Sequence, residues 1–561
     1  MNYQAVDEDI PIDKLPQFFE GARLNFAENL LAAKDDGIAI VELNESGNSC
    51  AKSYSWTELR EMALDDRLQL LKPRWLFAES TYLYNGKSYN IAKKLDATIK
   101  ALRQSVSCEV VIIGTTQALS SPCVAFDDFV AREVRSELVF QQVPCNTPFV
   151  VMFSSGTTGI PKGIVHSHGG LLVNGLKEFL LHNNLGTNDM HYQYTNIGWT
   201  LWNISIGALL VGASMVIYDG SPFYPSAEKH LEALFEHKIT SFGAGPRYYS
   251  ELQKLNVKPK KYARHVHSII STGALLTPSL ARWLAEAFGP VCQISMSGGT
   301  ELCGAFLHGT RSLPSYPGEM SVKALGLDVA VYSEDGKELA DGQAGELVCR
   351  RPFPNMPVKF WEDPGNKRYL ESYFSKFPHV WVHGDFIQVN KTTKGVYVLG
   401  RSDGVLNPSG VRFGSSEVYH VLAMPKFQNA IADAIVVGQQ RVKAPYSDAT
   451  ERVVLFIKCT PQASTGSVVP RAQLEMAIRE TIAENLSRRH VPAFIFEAPD
   501  IPYNVNGKKL EIQVKAVLCG GAEALARLKL TELEFQQVKW FEKFHHIEKV
   551  VDSTPKQRVK L

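Results

Sequence analysis

The run FVVMFSSGTTGIPKGIVHSHGG, residues 149–170, constrains this chain more than any other stretch. Apolar, β-type residues from Phe149 to Phe153 lead straight into Ser154, Ser155, Gly156, Thr157, Thr158 and Gly159, and Lys162 follows Pro161. A strand that empties into a side-chain-poor loop can turn its backbone N–H groups on an anion, because glycine adopts φ values closed to other residues. Hydroxyls add donors, and the lysine adds a charge-assisted contact. The loop is therefore expected to cradle polyphosphate. It is not a Walker A loop, since no G-x-x-x-x-G-K-[ST] can be laid over it. A plain polar surface turn is the competing reading, and the length of the run with Lys162 after Gly-Ile-Pro weighs against it.

Around this loop the chain reads as a large globular protein. At 561 residues it exceeds one compact core, and units of ~150 residues give roughly three or four. A formal charge of +1 provides no basic field for nucleic acid. Nine cysteines without a C-x-x-C pair argue against a zinc site or disulfide framework and fit a reduced cytosolic compartment. The acidic start MNYQAVDEDIPIDK lacks the apolar core of a secretory signal, and the terminal Val-Lys-Leu is a poor match to S-K-L. The apolar run Ile206–Tyr218 is too short to span a bilayer and reads as a buried helix then a buried strand, so no membrane partner is expected.

Periodicity predicts alternating elements: a helix-like 16–31, a helix 88–102, a strand 110–114, a helix 225–237, a strand 239–242, a helix 277–288 and a strand 291–295. Such alternation implies parallel strands with crossover helices. From about Leu327 the period becomes two, with hairpins at 333–336 and 392–395 and an antiparallel layer ending near Gly400. A smaller α+β unit follows, with a helix near Ser416, strands 430–438 and 452–459, a helix 470–487 and a strand 493–497.

Five further stretches stand in fixed order: STGALLT (271–277), SMSGGTELCGAF (295–306), VWVHGDFIQVN (380–390), LGRSDGVLNPSGVRFGSSEVY (399–419) and IPYNVNGKKLE (501–511). Alone, each has a bland reading as a turn, a helix start or a solvated lysine. Together with the phosphate loop they resemble the acyl-adenylate-forming, or AMP-binding, superfamily over nearly the whole chain. The resemblance implies a large α/β N-terminal domain with stacked, mostly parallel sheets and an antiparallel layer, and a small mobile α+β lid. It implies domains 1–402 and 403–520 and a helical extension 521–561. It also implies ATP and CoA as substrates with Mg²⁺ as cofactor, and no obligate protein partner.

By residue, the resemblance assigns Lys508, Thr300 and Glu301 to catalysis, with Glu301 toward Mg²⁺. Nucleotide binding falls to 154–159, Lys162, the turn Gly273, Ala274 and Leu275, Asp385 for ribose, Arg401, and Arg412 near phosphate. Gly410 lies on the CoA path, and Asp403 is the hinge. The wording EGARLNFAENLL, FAESTYLYNGK and PYNVNGKKLE is similar to the acetoacetate-activating branch. Acetate-specific relatives place a tryptophan where Gly298 stands, so Gly298 is expected to leave room for a longer acid, with Trp199 as another wall. In those relatives Y-x-W-x-E-L is followed by a strand–helix–strand block. Here Tyr54–Leu59 runs almost directly into Leu64, so the large domain is shortened near residues 59–64. Losing internal strands exposes edges. The sequence thus leaves three readings open: an acetoacetate–CoA ligase, a CoA ligase for another short acid, and an impaired product with its motifs intact. A serine hydrolase is excluded, because no G-x-S-x-G occurs.

Overall fold

The computed structural model describes residues 5–7, 9–32, 38–45, 52–55, 74–103, 107–117, 119–131, 139–154, 162–408, 413–504, 509–528 and 530–553. Strand β1 (Ile38–Asn44) pairs antiparallel with β2 (Lys52–Ser55). Next, β3 (Trp75–Glu79), β4 (Glu109–Ile113) and β5 (Val124–Ala125) form a separate small parallel sheet. The predicted helix 88–102 begins only at Ala92. Asn85 and Gly86, both at positive φ, turn Thr81–Tyr84 back on Lys87–Asn90 as a hairpin. An Asn-Gly pair between alternating tyrosines is a strong hairpin signal. The helix-like 16–31 resolves into strand Arg23–Leu24 and one short helix, Phe26–Leu30.

The phosphate-loop region is a hairpin of β6 (Pro148–Ser154) and β7 (Lys162–Ser167), continued by α1 (His168–Leu176). Then come β8 (Met190–Gln193), α2 (Thr200–Ser205), β9 (Ser214–Asp219), α3 (Ala227–Glu236), β10 (Ser241–Ala244), α4 (Pro246–Lys254), β11 (Ser268–Ser271), α5 (Pro278–Phe288) and β12 (Cys292–Ser295). These strands join β1 and β2 in a seven-stranded sheet of order β12-β11-β10-β8-β9-β1-β2, parallel except at the β2 edge. The helices start where capping chemistry allows. Ser226 accepts a bond from the Lys229 amide, and Thr277 accepts one from Leu280 ahead of Pro278. Their apolar faces bury Leu231, Leu252 and Leu284 against Val41, Tyr192 and Phe242.

A second core lies beneath the antiparallel layer. The hairpin β13 (Ser297–Gly299) and β14 (Gly304–His308) leads into β15 (Val329–Tyr332), β16 (Ala344–Cys349), β17 (Trp381–Val389) and β18 (Val396–Arg401). The last four form one antiparallel sheet. Phe306, Phe353 and Trp381 pack at its centre.

One short 3-10 turn, Ser402–Gly404, links β18 to the smaller lobe. There α6 (Ser415–Leu422), β19 (Ile431–Gln439), β20 (Arg452–Cys459), α7 (Ala472–Asn485) and β21 (Phe494–Glu497) match the periodicity reading closely. Side chains alternate across this three-stranded sheet. Val436, Leu455 and Ile457 face α6 and α7, while Val437, Val454 and Phe456 face Phe541, Phe544 and Ile547 of the extension. Helix α8 (Glu511–Arg527) runs through residue 520 and kinks at Gly521. The expected boundary between lid and extension therefore falls inside one helix, and the two share a core.

Candidate active site

The β6–β7 register pairs Ser154 with Lys162, so the two ends of segment 155–161 meet at the sheet edge. Ser155, Gly156, Thr157, Thr158 and Gly159 themselves lie outside the described residues. Lys162 is half-buried, donates to the Ser372 hydroxyl at 3.0 Å and stands over the rings of Phe360 and Tyr373. Burial lowers its pKa, and the charge of Glu301 opposes that shift. Glu301 acts electrostatically on His166, Tyr373 and His383 as well, so these groups are its neighbours.

The acidic turn is held from three directions. His166 of β7 bonds the Thr300 carbonyl at 2.8 Å, Asn355 donates to the Leu302 carbonyl at 2.9 Å, and Asn174 of α1 donates to the Cys303 carbonyl at 2.9 Å. All three side chains are buried. Burial brings the His166 pKa down to about 4, so the ring is neutral at pH 7 and Nε2–H is the donor. The turn is thus fixed before any ligand arrives, with Thr300 and Glu301 themselves half-buried. Thr200 donates to the Thr300 hydroxyl at 3.0 Å. Thr200, His166, Asn174 and Asn355 were not singled out in the sequence, because each comes alone from a distant element. The only local hint was Thr200 beside Trp199.

Trp199 caps the start of α2, and its ring closes over the turn at Gly273: a Cβ on Gly273 would lie 2.7 Å from it. Ala274 and Leu275 continue that turn towards the Thr277 cap. Gly298 needs a correction. A Cβ there would fall 1.8 Å from the Gly304 carbonyl, so the space beside Gly298 is taken by the β14 backbone and is not open room for a longer acid. Glycine is required for this close approach of two strands.

Asp385 is buried in β17 and pairs across the ladder with Arg401, whose guanidinium donates to its carboxylate at 3.0 Å and to the His383 carbonyl at 3.2 Å. Gly384, at φ +83°, makes room: a Cβ would meet that guanidinium at 2.8 Å. Next to Arg401, Ser402 donates to Glu346 of β16 at 2.8 Å, and Lys376 pairs with the same carboxylate at 2.7 Å. Asp403 lies in the linking turn. Gly410, Arg412 and Lys508 fall outside the described residues. The described residues on either side of them form the bridges Leu406↔Phe413 and Tyr503↔Lys509. Among the described residues no group of three His, Cys, Asp or Glu could hold a metal ion. One carboxylate suits a hard cation that arrives with its own phosphate ligands.

The β6–β7 hairpin, a fixed acidic turn, a paired aspartate–arginine and a linked small lobe are the parts of a two-lobed adenylate-forming enzyme. Residues 37–356 match the model of the family described as AMP-binding enzyme, and the chain belongs to that family. It is 35% identical to the acetoacetyl-CoA synthetase of Danio rerio, over 93% of this chain and 85% of that protein. It is 33% identical to the malonamoyl-CoA synthetase vrtB of Penicillium aethiopicum, over 92% and 80%. It superposes on the acetoacetyl-CoA synthetase structure from Streptomyces lividans with a TM-score of 0.82 at 29% identity, covering 97% of this chain and 90% of the other. The alignment with the Danio rerio protein has 587 positions, whereas 93% of 561 residues is about 522, so about 65 positions of that relative have no counterpart here.

Proposed function

We propose that this chain is an acetoacetate–CoA ligase that forms AMP. The chain carries out ATP-dependent acyl-CoA ligation through an acyl-adenylate, as its family membership and relatives indicate. In the first step the acid's carboxylate oxygen bonds to the α-phosphorus of ATP and pyrophosphate leaves. In the second the CoA thiol, losing its proton, bonds to the acyl carbon and AMP leaves. Such chemistry calls for alignment and charge neutralisation more than for a protein nucleophile. The observation that carries the reading is the clustering of Lys162, Glu301 and the Asp385–Arg401 pair, whose charges act on one another or on the buried His383 between them.

Residues 154–159 and Lys162 take the phosphates. Gly273, Ala274 and Leu275 flank the base, and Trp199, packed on Gly273, forms a wall of the acyl pocket. Asp385 accepts from ribose hydroxyls, which requires Arg401 to share or release it. Arg401 and Arg412 neutralise charge, and Lys508 serves the first step. Gly410 lines the pantetheine path, and Asp403 is the hinge between domains 1–402 and 403–520. Glu301 would hold Mg²⁺, which, when bound, neutralises phosphate charge. The shortening is placed near residues 59–64. We assign the chain to the cytosol, acting on small molecules; among the described residues, no helix is long and apolar enough to cross a membrane.

The malonamoyl-CoA relative at 33% identity supports a second reading, a ligase for another short acid with a polar group beyond the carboxylate. Pyrophosphate release over acetate, acetoacetate, malonamate and 3-hydroxybutyrate separates the readings. Acetoacetate should give the highest kcat/KM. A higher value for malonamate establishes the second reading, and no release with any acid overturns both. In the same assay Lys508→Ala should lower acid-dependent ATP–pyrophosphate exchange by roughly 10²–10³-fold, the scale for losing one charge-stabilising donor. Thioester formation from supplied acyl-adenylate should persist.

A further inference from the structure

The space denied beside Gly298 exists on another side of the acidic turn. A cavity lies there between α1, α2 and the residue ahead of β14, with Asn174, Glu178, Asn203, Ile204 and Cys303 among its walls. It measures about 10 Å³, room for one water-sized atom. Asn203 and Ile204 stand three and four residues after Thr200 on α2, on the helix face that Thr200 shares. Thr200 itself donates to the Thr300 hydroxyl at 3.0 Å. The cavity wall is therefore three residues, about 4.5 Å of helix rise, from a motif side chain.

The polar walls are tied to the fold on one side and open on the other. Asn174 donates to the Cys303 carbonyl, and Glu178 accepts from the Ala305 amide at 2.9 Å. Gly304 lies between those two backbone groups, and a Cβ there would meet the Glu178 carboxylate at 2.6 Å, so strand and side chains are closely drawn together. Their second oxygens, Asn174 Oδ1 and Glu178 Oε2, are buried and have no hydrogen-bond partner among the described residues. Buried polar groups are nearly always paired, so two such atoms in one place mark a spot that a ligand completes. Glu178 stands on a π-helical turn, Lys177–His182, a distortion frequent at functional sites. Burial raises its pKa, against the opposing charge of Lys177, towards the form in which Oε2 carries a proton and donates. Asn203 is half-buried, and its amide makes no hydrogen bond among the described residues.

We propose that Asn203 and Glu178 are specificity-determining residues: they take the oxygen on C3 of the acid while its carboxylate lies at Thr300. The inference rests on the reading of this chain as an acyl-CoA ligase with Trp199 on the acyl pocket. A carbonyl oxygen accepts two hydrogen bonds, and these side chains offer two donors. A hole for one atom reads the 3-position without a wide pocket. Acetate has nothing to place in it, and butyrate brings only carbon, which leaves the polar walls unpaired.

The test compares acids that differ at C3. Pyrophosphate release should show the parent favouring acetoacetate or malonamate over butyrate in kcat/KM. Asn203→Leu, of similar size, should cut that preference by about 5–100-fold, with butyrate unchanged or improved and the melting temperature unchanged. Glu178→Gln keeps an acceptor for Ala305 and presents an N–H to the cavity, so it should retain most of the preference. An unchanged preference in Asn203→Leu, or an equal fall for all three acids, overturns the proposal. If the parent releases no pyrophosphate with any acid, the function proposed above fails, and the cavity is judged by binding. The sulfamate analogue of acetoacetyl-adenylate should then bind the parent more tightly than the butyryl analogue, with the gap closing in Asn203→Leu. Equal affinities, or no binding of either, overturn the inference.

Discussion

Gly298 shows how a single residue can be read correctly as a signal and wrongly as a space. The absent tryptophan is visible in the sequence, but what fills its place is the Gly304 carbonyl, contributed by the next strand. Gly298→Trp is therefore expected to destabilise the protein by about 1–3 kcal/mol, the cost of overpacking, without turning it into an acetate enzyme. Calorimetry with the acid panel checks this, and a selective gain for acetate would refute it. Asn355→Ala strips the Leu302 carbonyl of its buried donor. That change should cost about 1–3 kcal/mol and reduce pyrophosphate exchange, since the turn bearing Thr300 and Glu301 loosens. The motif residues were legible because they sit together in the chain. His166, Asn174 and Asn355 were not, because a lone polar residue on a strand or helix shows its role only when folding brings a carbonyl to it.

Elements were most legible where local chemistry and tertiary packing agree. Thr277 starts its helix in both sequence and structure, the helix expected from Pro225 starts two residues later behind the Ser226 cap, and the strands of the small lobe lie within a residue or two of their expected bounds. The 81–90 hairpin was missed because the helical pattern beyond Ala92 was extended backwards to Ser88, over the hairpin's second strand, and the Asn85-Gly86 turn before it was not read. Buried imidazoles make these elements acid-sensitive. Burial brings His166 and His191 down to about 4 and His230 to about 3. The unfolded chain then binds more protons than the folded one between pH 6.5 and about 4, so stability is full above 6.5 and falls on acidification through that window. Each histidine contributes a slope of up to about 1.4 kcal/mol per pH unit. Melting temperature should drop between pH 7 and pH 5 and depend less on pH in His191→Gln.

For the whole molecule, about 65 positions of the Danio rerio protein have no counterpart here, and β3-β4-β5 form a three-stranded sheet of their own. Tyr82, Leu83, Tyr84 and Val130 are exposed in that region. Inserting the corresponding block of the relative near residues 59–64 should raise solubility and sharpen thermal unfolding; identical melting and activity would show the block to be dispensable. The lid is larger than its motifs suggest, because the extension seals one face of its sheet. Phe544 is fully buried against Phe456, and Phe544→Ala should cost about 3–5 kcal/mol, read as early melting of the lid. Arg441 fastens the same region, pairing with Asp448 and Glu548 at 2.9 and 2.7 Å. Since these contacts carry the helices around 532–553 as one piece with the lid, that piece is an optical pointer. A dye at the exposed Val551, read against a second at the exposed Ile197 of the large lobe, would report by energy transfer where in its cycle each single molecule stands.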